Sequence, residues 1–191
     1  MILTGPEILR QYRLGKINIE PFNEERINPN SYNLRLAPQL AVYTSTSGDY
    51  DLAESVAHET SLPVVRLDCR ADNPLWRFEI PTKGLVLYPG KLYLGSTVEV
   101  TATDDFVPIL EGRSSLARLG ISVHQTGGFG DVGFHGQWTL EITCVEPVRI
   151  YADMEVCQVQ FLTCEGARQL YKGKYCDQKG PTPSKLYTEM E

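Results

Sequence analysis

Val, Ile, Leu and Tyr gather in runs only a few residues long, as at 85–88, 91–100 and 148–151, and Pro, Gly, Asn and Asp separate them. Side chains of this kind suit a pleated, half-buried surface, and the intervening residues supply tight turns. A chain written this way predicts an all-β core. One segment departs from it. TGPE at 4–7 has capping-box spacing with Pro near the first turn, Ile8, Leu9 and Tyr12 follow, and Gly15 closes the stretch, so a short N-terminal helix is expected.

With 191 residues, 42% of them hydrophobic and 22% charged, the chain can bury a sizeable core without disulfides or metals, and a single domain over 1–191 is expected. A net charge of -6 argues against a nucleic acid polymer or an anionic membrane as partner, while leaving room for a small anion on a local cluster. No run is apolar for long enough to span a bilayer, and the first residues lack the pattern of a signal peptide. Five cysteines without the dense spacing of a secreted scaffold point to a reducing, cytoplasmic setting. The polar, weakly patterned stretch 45–61 reads as an exposed excursion. From 165 the chain changes character: over 165–185, Arg168, Lys172, Lys174, Lys179 and Lys185 outnumber Glu165 and Asp177 among several Gly and Pro. The segment 165–191 reads as a mobile, locally cationic tail.

The sequence EGRSSLARLG at 111–120 places two hydroxyls at a helix start and a glycine at its end, predicting a helix of one to two turns. Its free N–H groups, the Ser114 and Ser115 hydroxyls and the Arg113 guanidinium can converge on phosphate oxygens. Arg118, four residues after Ser114, shares its face. The alternative is a capped helix with solvent-facing arginines.

The sequence HQTGGFGDVGFHGQWTLEI at 124–142 is a glycine-rich turn running into a strand. Its glycines are expected to let backbone approach a flat ligand closely. In the strand, Trp138, Leu140 and Ile142 fall on one face and Gln137, Thr139 and Glu141 on the other. If the first face is core, Glu141 points toward a cavity or interface; otherwise it is an ordinary solvent-facing residue.

These two segments, together with KYCDQKGPTPS at 174–184 and, more weakly, ERINPNSYNLRL at 25–36 and LYPGK at 87–91, resemble the dCTP deaminase family over nearly the whole chain and in the expected order. The resemblance implies a dUTPase-like distorted β-barrel or jelly roll with a few short helices, assembled as a homotrimer with sites between subunits. Carried over by motif, Arg113, Ser114, Ser115 and Arg118 hold phosphates and part of the base-proximal site. Asp131 meets the deoxyribose hydroxyl, Thr139 and Glu141 contact the base, and Gln158, Tyr171, Lys174 and Gln178 complete the pocket. The tail from 165 is expected to close over the nucleotide.

The implied reaction is hydrolytic deamination of dCTP. Glu141 shuttles the proton, Ser114 and a backbone carbonyl of the Gly127 turn position the water, and Arg118 stabilises charge. The His-x-Glu and Pro-Cys-x-x-Cys elements that hold zinc in other deaminases are missing from the sequence, so no zinc is expected, whereas Mg²⁺ is expected as a companion of the triphosphate. The product is expected to be dUTP, with dUMP and pyrophosphate as the alternative, since the HQTGGF turn and the tail are similar to bifunctional members. dUTP is then a second substrate and dTTP a candidate inhibitor. A dUTPase without deaminase activity and a non-catalytic nucleotide sensor are the rival classes.

The chain departs from the family's pattern at several points. Gly127, Gly130 and Val132 stand where Ala, a bulky apolar residue and Pro or Ala are common. Trp138 replaces a smaller residue, and Asn33 stands where Asp is usual. Gly127 and Gly130 are expected to serve the turn by adopting positive φ, with extra room beside the base as the alternative.

Overall fold

The computed structural model describes residues 1–44 and 65–190, so the excursion read at 45–61 lies outside the described residues. The N-terminal helix is present as α1 (Gly5–Arg13), with Pro in its first turn. Its expected capping box does not form. Thr4 makes no side-chain cap, and Glu7 instead accepts from the Arg10 guanidinium at 2.7 and 2.9 Å and from Gln11 at 2.6 Å. The inward face of α1 buries Ile8 and Gln11.

The rest is mainly antiparallel strand, as short hydrophobic runs bounded by turn residues require. The largest sheet orders β4 (Leu75–Glu79), β3 (Gln39–Tyr43), β6 (Tyr93–Ala102), β9 (His135–Cys144) and β8 (Ile121–Ser122), with β1 (Asn18–Glu20) also on β6. A second sheet places β11 (Glu155–Thr163) between β2 (Tyr32–Arg35) and β7 (Phe106–Gly112). Strands β5 (Leu85–Leu87) and β10 (Val148–Ile150) form a separate pair. The sheets stay open instead of closing into one continuous barrel, but the mainly-β class and the few short helices are as expected. A single apolar cluster joins Leu34, Leu110, Val159 and Phe161 of the second sheet to Leu40, Tyr93, Leu140 and Ile142 of the first. Among the described residues, no helix is long and apolar enough to cross a membrane.

One polar pair links the two sheets and another ties β2 to β11 within the second. Glu99 is fully buried on β6 and accepts from the Arg35 backbone N–H at 2.8 Å and from its Nε at 2.7 Å, so the charge is paired where water cannot reach it. Asn33, where the family pattern has Asp, donates to the Glu155 carboxylate at 2.9 Å and accepts from Asn28 at 2.6 Å. A carboxylate at 33 would face Glu155 with like charge, so the amide suits this neighbour.

Candidate active site

Strand β9 carries the alternation read from the sequence: Trp138, Leu140 and Ile142 are buried, while Gln137, Thr139 and Glu141 are partly exposed. That second face borders a cavity of about 590 Å³. Of the residues assigned from the family motif, Gly127, Asp131, Thr139, Glu141, Tyr171 and Gln178 line it. Apolar wall comes from Leu94, Phe134 and Trp138.

Glu141 sits on the cavity wall with its carboxyl pushed above the ordinary glutamate range. Burial is the main cause, and the backbone amides of Gln125 and of Glu141 itself and the charge of His124 oppose it. The His124 ring packs so closely on Gly128 that a Cβ there would lie 3.2 Å from it. A carboxyl held above its ordinary range keeps its proton more readily than a free glutamate, which suits acid–base work.

The glycines of the 124–136 turn do several different things, and the positive φ expected of Gly127 and Gly130 is not observed. A Cβ on Gly130 would fall 2.4 Å from the Trp138 indole and 2.9 Å from the Pro108 carbonyl oxygen. The Trp138 side chain therefore occupies the space that a side chain at 130 would need. A local register shift in β6 between Ser96 and Val100 accompanies it. There the Thr97 hydroxyl accepts from the Trp138 N–H at 3.0 Å, and the Thr101 hydroxyl accepts from the indole N–H at 2.9 Å. Gly133 and Gly136, both at positive φ, serve the tail and not a flat ligand, since a Cβ at either would run into Leu170–Tyr171 or the Gln178 backbone.

The tail seats directly along β9. Asp177 N–H donates to the His135 carbonyl at 2.7 Å, Gln137 N–H to the Gln178 carbonyl at 3.0 Å, and the Gln178 amide back to the Gln137 carbonyl at 2.8 Å. Further on, Gly180 N–H donates to the Gln137 side chain at 2.7 Å and Thr182 N–H to the Thr139 hydroxyl at 3.3 Å. The His135 imidazole also pairs with the Asp177 carboxylate. Tyr175, Thr182, Pro183 and Ser184 thereby become cavity wall, as does Tyr43, whose hydroxyl accepts from Ser184 N–H at 3.0 Å. Sequence reading singled out none of these five as site residues. For the four tail residues the only signal was the tail motif, which does not say which of its residues face inward, and Tyr43 lies outside every motif.

The remaining motif residues are not on this cavity. The predicted helix is the single turn α2 (Ser114–Ala117), where Ser114, Ser115 and Arg118 are exposed. Arg118 donates to the Ser114 carbonyl at 3.0 Å. Arg113 pairs with the Glu155 carboxylate at 2.9 Å, and Gln158 is held between the Ser31 hydroxyl at 2.6 Å and the Gly112 carbonyl at 3.1 Å. Lys174 carries an ion pair with Glu189 at 2.7 Å. Within one chain, then, the cavity holds the carboxyl but not the hydroxyl–arginine set.

Among the described residues, no group of three or more His, Cys, Asp or Glu is arranged to hold a metal ion. The sequence profile of the dCTP deaminase-like family matches residues 2–164. The chain is 48% identical to the dCTP deaminase, dUMP-forming, of Clostridium botulinum over 100% of this chain and 99% of that one. It is 50% identical to the protein of the same name from Clostridium acetobutylicum, with the same coverage. In fold it resembles the crystal structure of 2'-deoxycytidine 5'-triphosphate deaminase from Agrobacterium tumefaciens, with a TM-score of 0.59 at 20% identity, over 84% of this chain and 47% of that one. On the profile match and on identity at full length, the chain belongs to the dCTP deaminase-like family.

Proposed function

We propose that the chain deaminates dCTP and also hydrolyses the triphosphate, releasing dUMP, pyrophosphate and ammonia. The observation that carries the deamination is Glu141, a partly buried carboxyl of raised pKa on a cavity walled by Gly127 and Thr139. The dUMP-forming outcome, rather than the dUTP expected first, is favoured by the names of relatives near 48% identity over the full length. Water adds to the ring carbon bearing the amine, Glu141 takes its proton and passes it on, and the amine leaves as ammonia. A second water divides the triphosphate into dUMP and pyrophosphate. Mg²⁺ bound with the triphosphate would offset its charge, and Asp131, exposed at the cavity, can meet the deoxyribose hydroxyl.

Incubation with dCTP and Mg²⁺ is expected to yield dUMP, pyrophosphate and ammonia in equal amounts. Accumulation of dUTP with ammonia would assign the simpler deaminase, and consumption of added dUTP with no ammonia from dCTP would assign a dUTPase.

The proposal includes a homotrimer that completes each site from two chains. It rests on the separation of Ser114, Ser115 and Arg118 from the Glu141 cavity, and on the exposure of Phe129 (67%) at the cavity and of Leu119 (57%) beside α2. Mixing two inactive variants, Arg118→Ala and Glu141→Gln, with subunit exchange should restore up to about a quarter of the wild-type sites. No recovery from fully exchanged mixtures would place all the groups of one site in a single chain.

A further inference from the structure

Most glycines described in this chain are required by backbone or packing. Gly15, Gly84, Gly90, Gly120, Gly133, Gly136, Gly166 and Gly180 have positive φ, and a Cβ on Gly5, Gly95, Gly128, Gly130 or Gly173 would press on a neighbour at 3.1 Å or less. Only Gly112 and Gly127 among the described glycines are free of both constraints. A Cβ on Gly112 would meet Val123 at 3.6 Å, an ordinary contact. A Cβ on Gly127 would meet nothing closer than Glu141 Oε2 at 4.0 Å, and Gly127 lines the cavity. The fold therefore does not require a glycine at 127, and its missing side chain leaves open space against the acid–base carboxyl.

We propose that Gly127 sets which ring substituents the enzyme accepts, and that its substrates include deoxycytidine triphosphates carrying a one-carbon group at ring position 5. The inference rests on the reading of this cavity as the base site. Glu141 must reach the ring carbon that loses the amine, so space touching its carboxyl adjoins that carbon. The atoms flanking it are the ring nitrogen at position 3, which has no valence for a substituent in neutral cytosine, and carbon 5, which carries an in-plane hydrogen. A group on carbon 5 therefore projects beside the reacting centre. Leu94, Phe134 and Trp138 in the same cavity give it apolar surroundings. Alanine at 127 would fill that space with a methyl group, and one methyl-sized clash changes relative turnover by about 10-fold or more.

The test compares kcat/KM for 5-methyl-dCTP, 5-hydroxymethyl-dCTP and dCTP in wild type, Gly127→Ala and Gly112→Ala. Wild type is expected to turn over the 5-methyl compound within about 10-fold of dCTP. In Gly127→Ala the ratio of 5-methyl-dCTP to dCTP should fall at least tenfold, and in Gly112→Ala it should not move. Binding of both nucleotides to Glu141→Gln with and without Gly127→Ala gives the same ratio without turnover, so a rate defect in the alanine variant does not obscure the result. Equal losses on both substrates would overturn the proposal, as would a wild type that deaminates dCTP but not its 5-methyl derivative. A Gly127→Ala effect confined to N4-methyl-dCTP would move the open space to the amine and overturn the carbon-5 assignment. If wild type releases no ammonia from dCTP itself, the base-site reading fails instead, and the 5-methyl arm separates the two cases.

Discussion

Glu141→Gln is expected to remove about 10²–10⁴-fold of the deamination rate while leaving dCTP binding nearly intact, because the amide keeps the shape of the carboxyl and cannot carry the proton. Burial holds the Glu141 pKa above the ordinary glutamate range, so the rising limb of the wild-type kcat/KM profile should lie above that range and vanish in the variant. Stability should move the other way. Below the ordinary glutamate pKa the folded and unfolded chains are both protonated at 141, and the substitution changes little. As pH rises past the raised folded pKa, the wild type keeps an ionised carboxylate in a partly dry site and loses stability that the glutamine variant retains. The variant's Tm should therefore exceed that of wild type at neutral pH and converge with it in acid. A glutamine variant that deaminates within tenfold of wild type would remove Glu141 from the chemistry.

Removal of residues 172–191 is expected to lower kcat/KM for dCTP by about 10²-fold or more. The cut takes away Tyr175, Gln178, Thr182, Pro183 and Ser184 from the cavity wall, and with them the hydrogen bonds to Gln137 and Thr139. The core should survive, since its buried apolar residues reach no further along the chain than Phe161 and the partly buried Tyr171 also remains. Far-ultraviolet circular dichroism and light scattering should then report the same β content and the same assembly as the full chain. Activity close to that of the full chain would show that the seat along β9 does not matter for turnover. Loss of assembly would make the tail structural.

Short hydrophobic runs between turn residues were enough to predict a mainly-β chain with one N-terminal helix, because strand pleating and helix starts are local events. The inward and outward faces of β9 were equally legible, since the period of two is a property of the strand itself. From residue types alone, Glu141 remained a choice between a cavity residue and an ordinary surface one.

Contacts between distant segments decided the rest. Glu7 chose Arg10 and Gln11 over a capping box, and Gly130 yields its space to Trp138. Gly133 and Gly136 admit the tail backbone rather than a ligand, and Gly127 alone in that turn opens onto the Glu141 carboxyl. Each outcome depends on which atoms from far along the chain arrive within a few ångströms. Residue identity alone records that a glycine is small, whereas the packed fold determines what occupies the space it leaves.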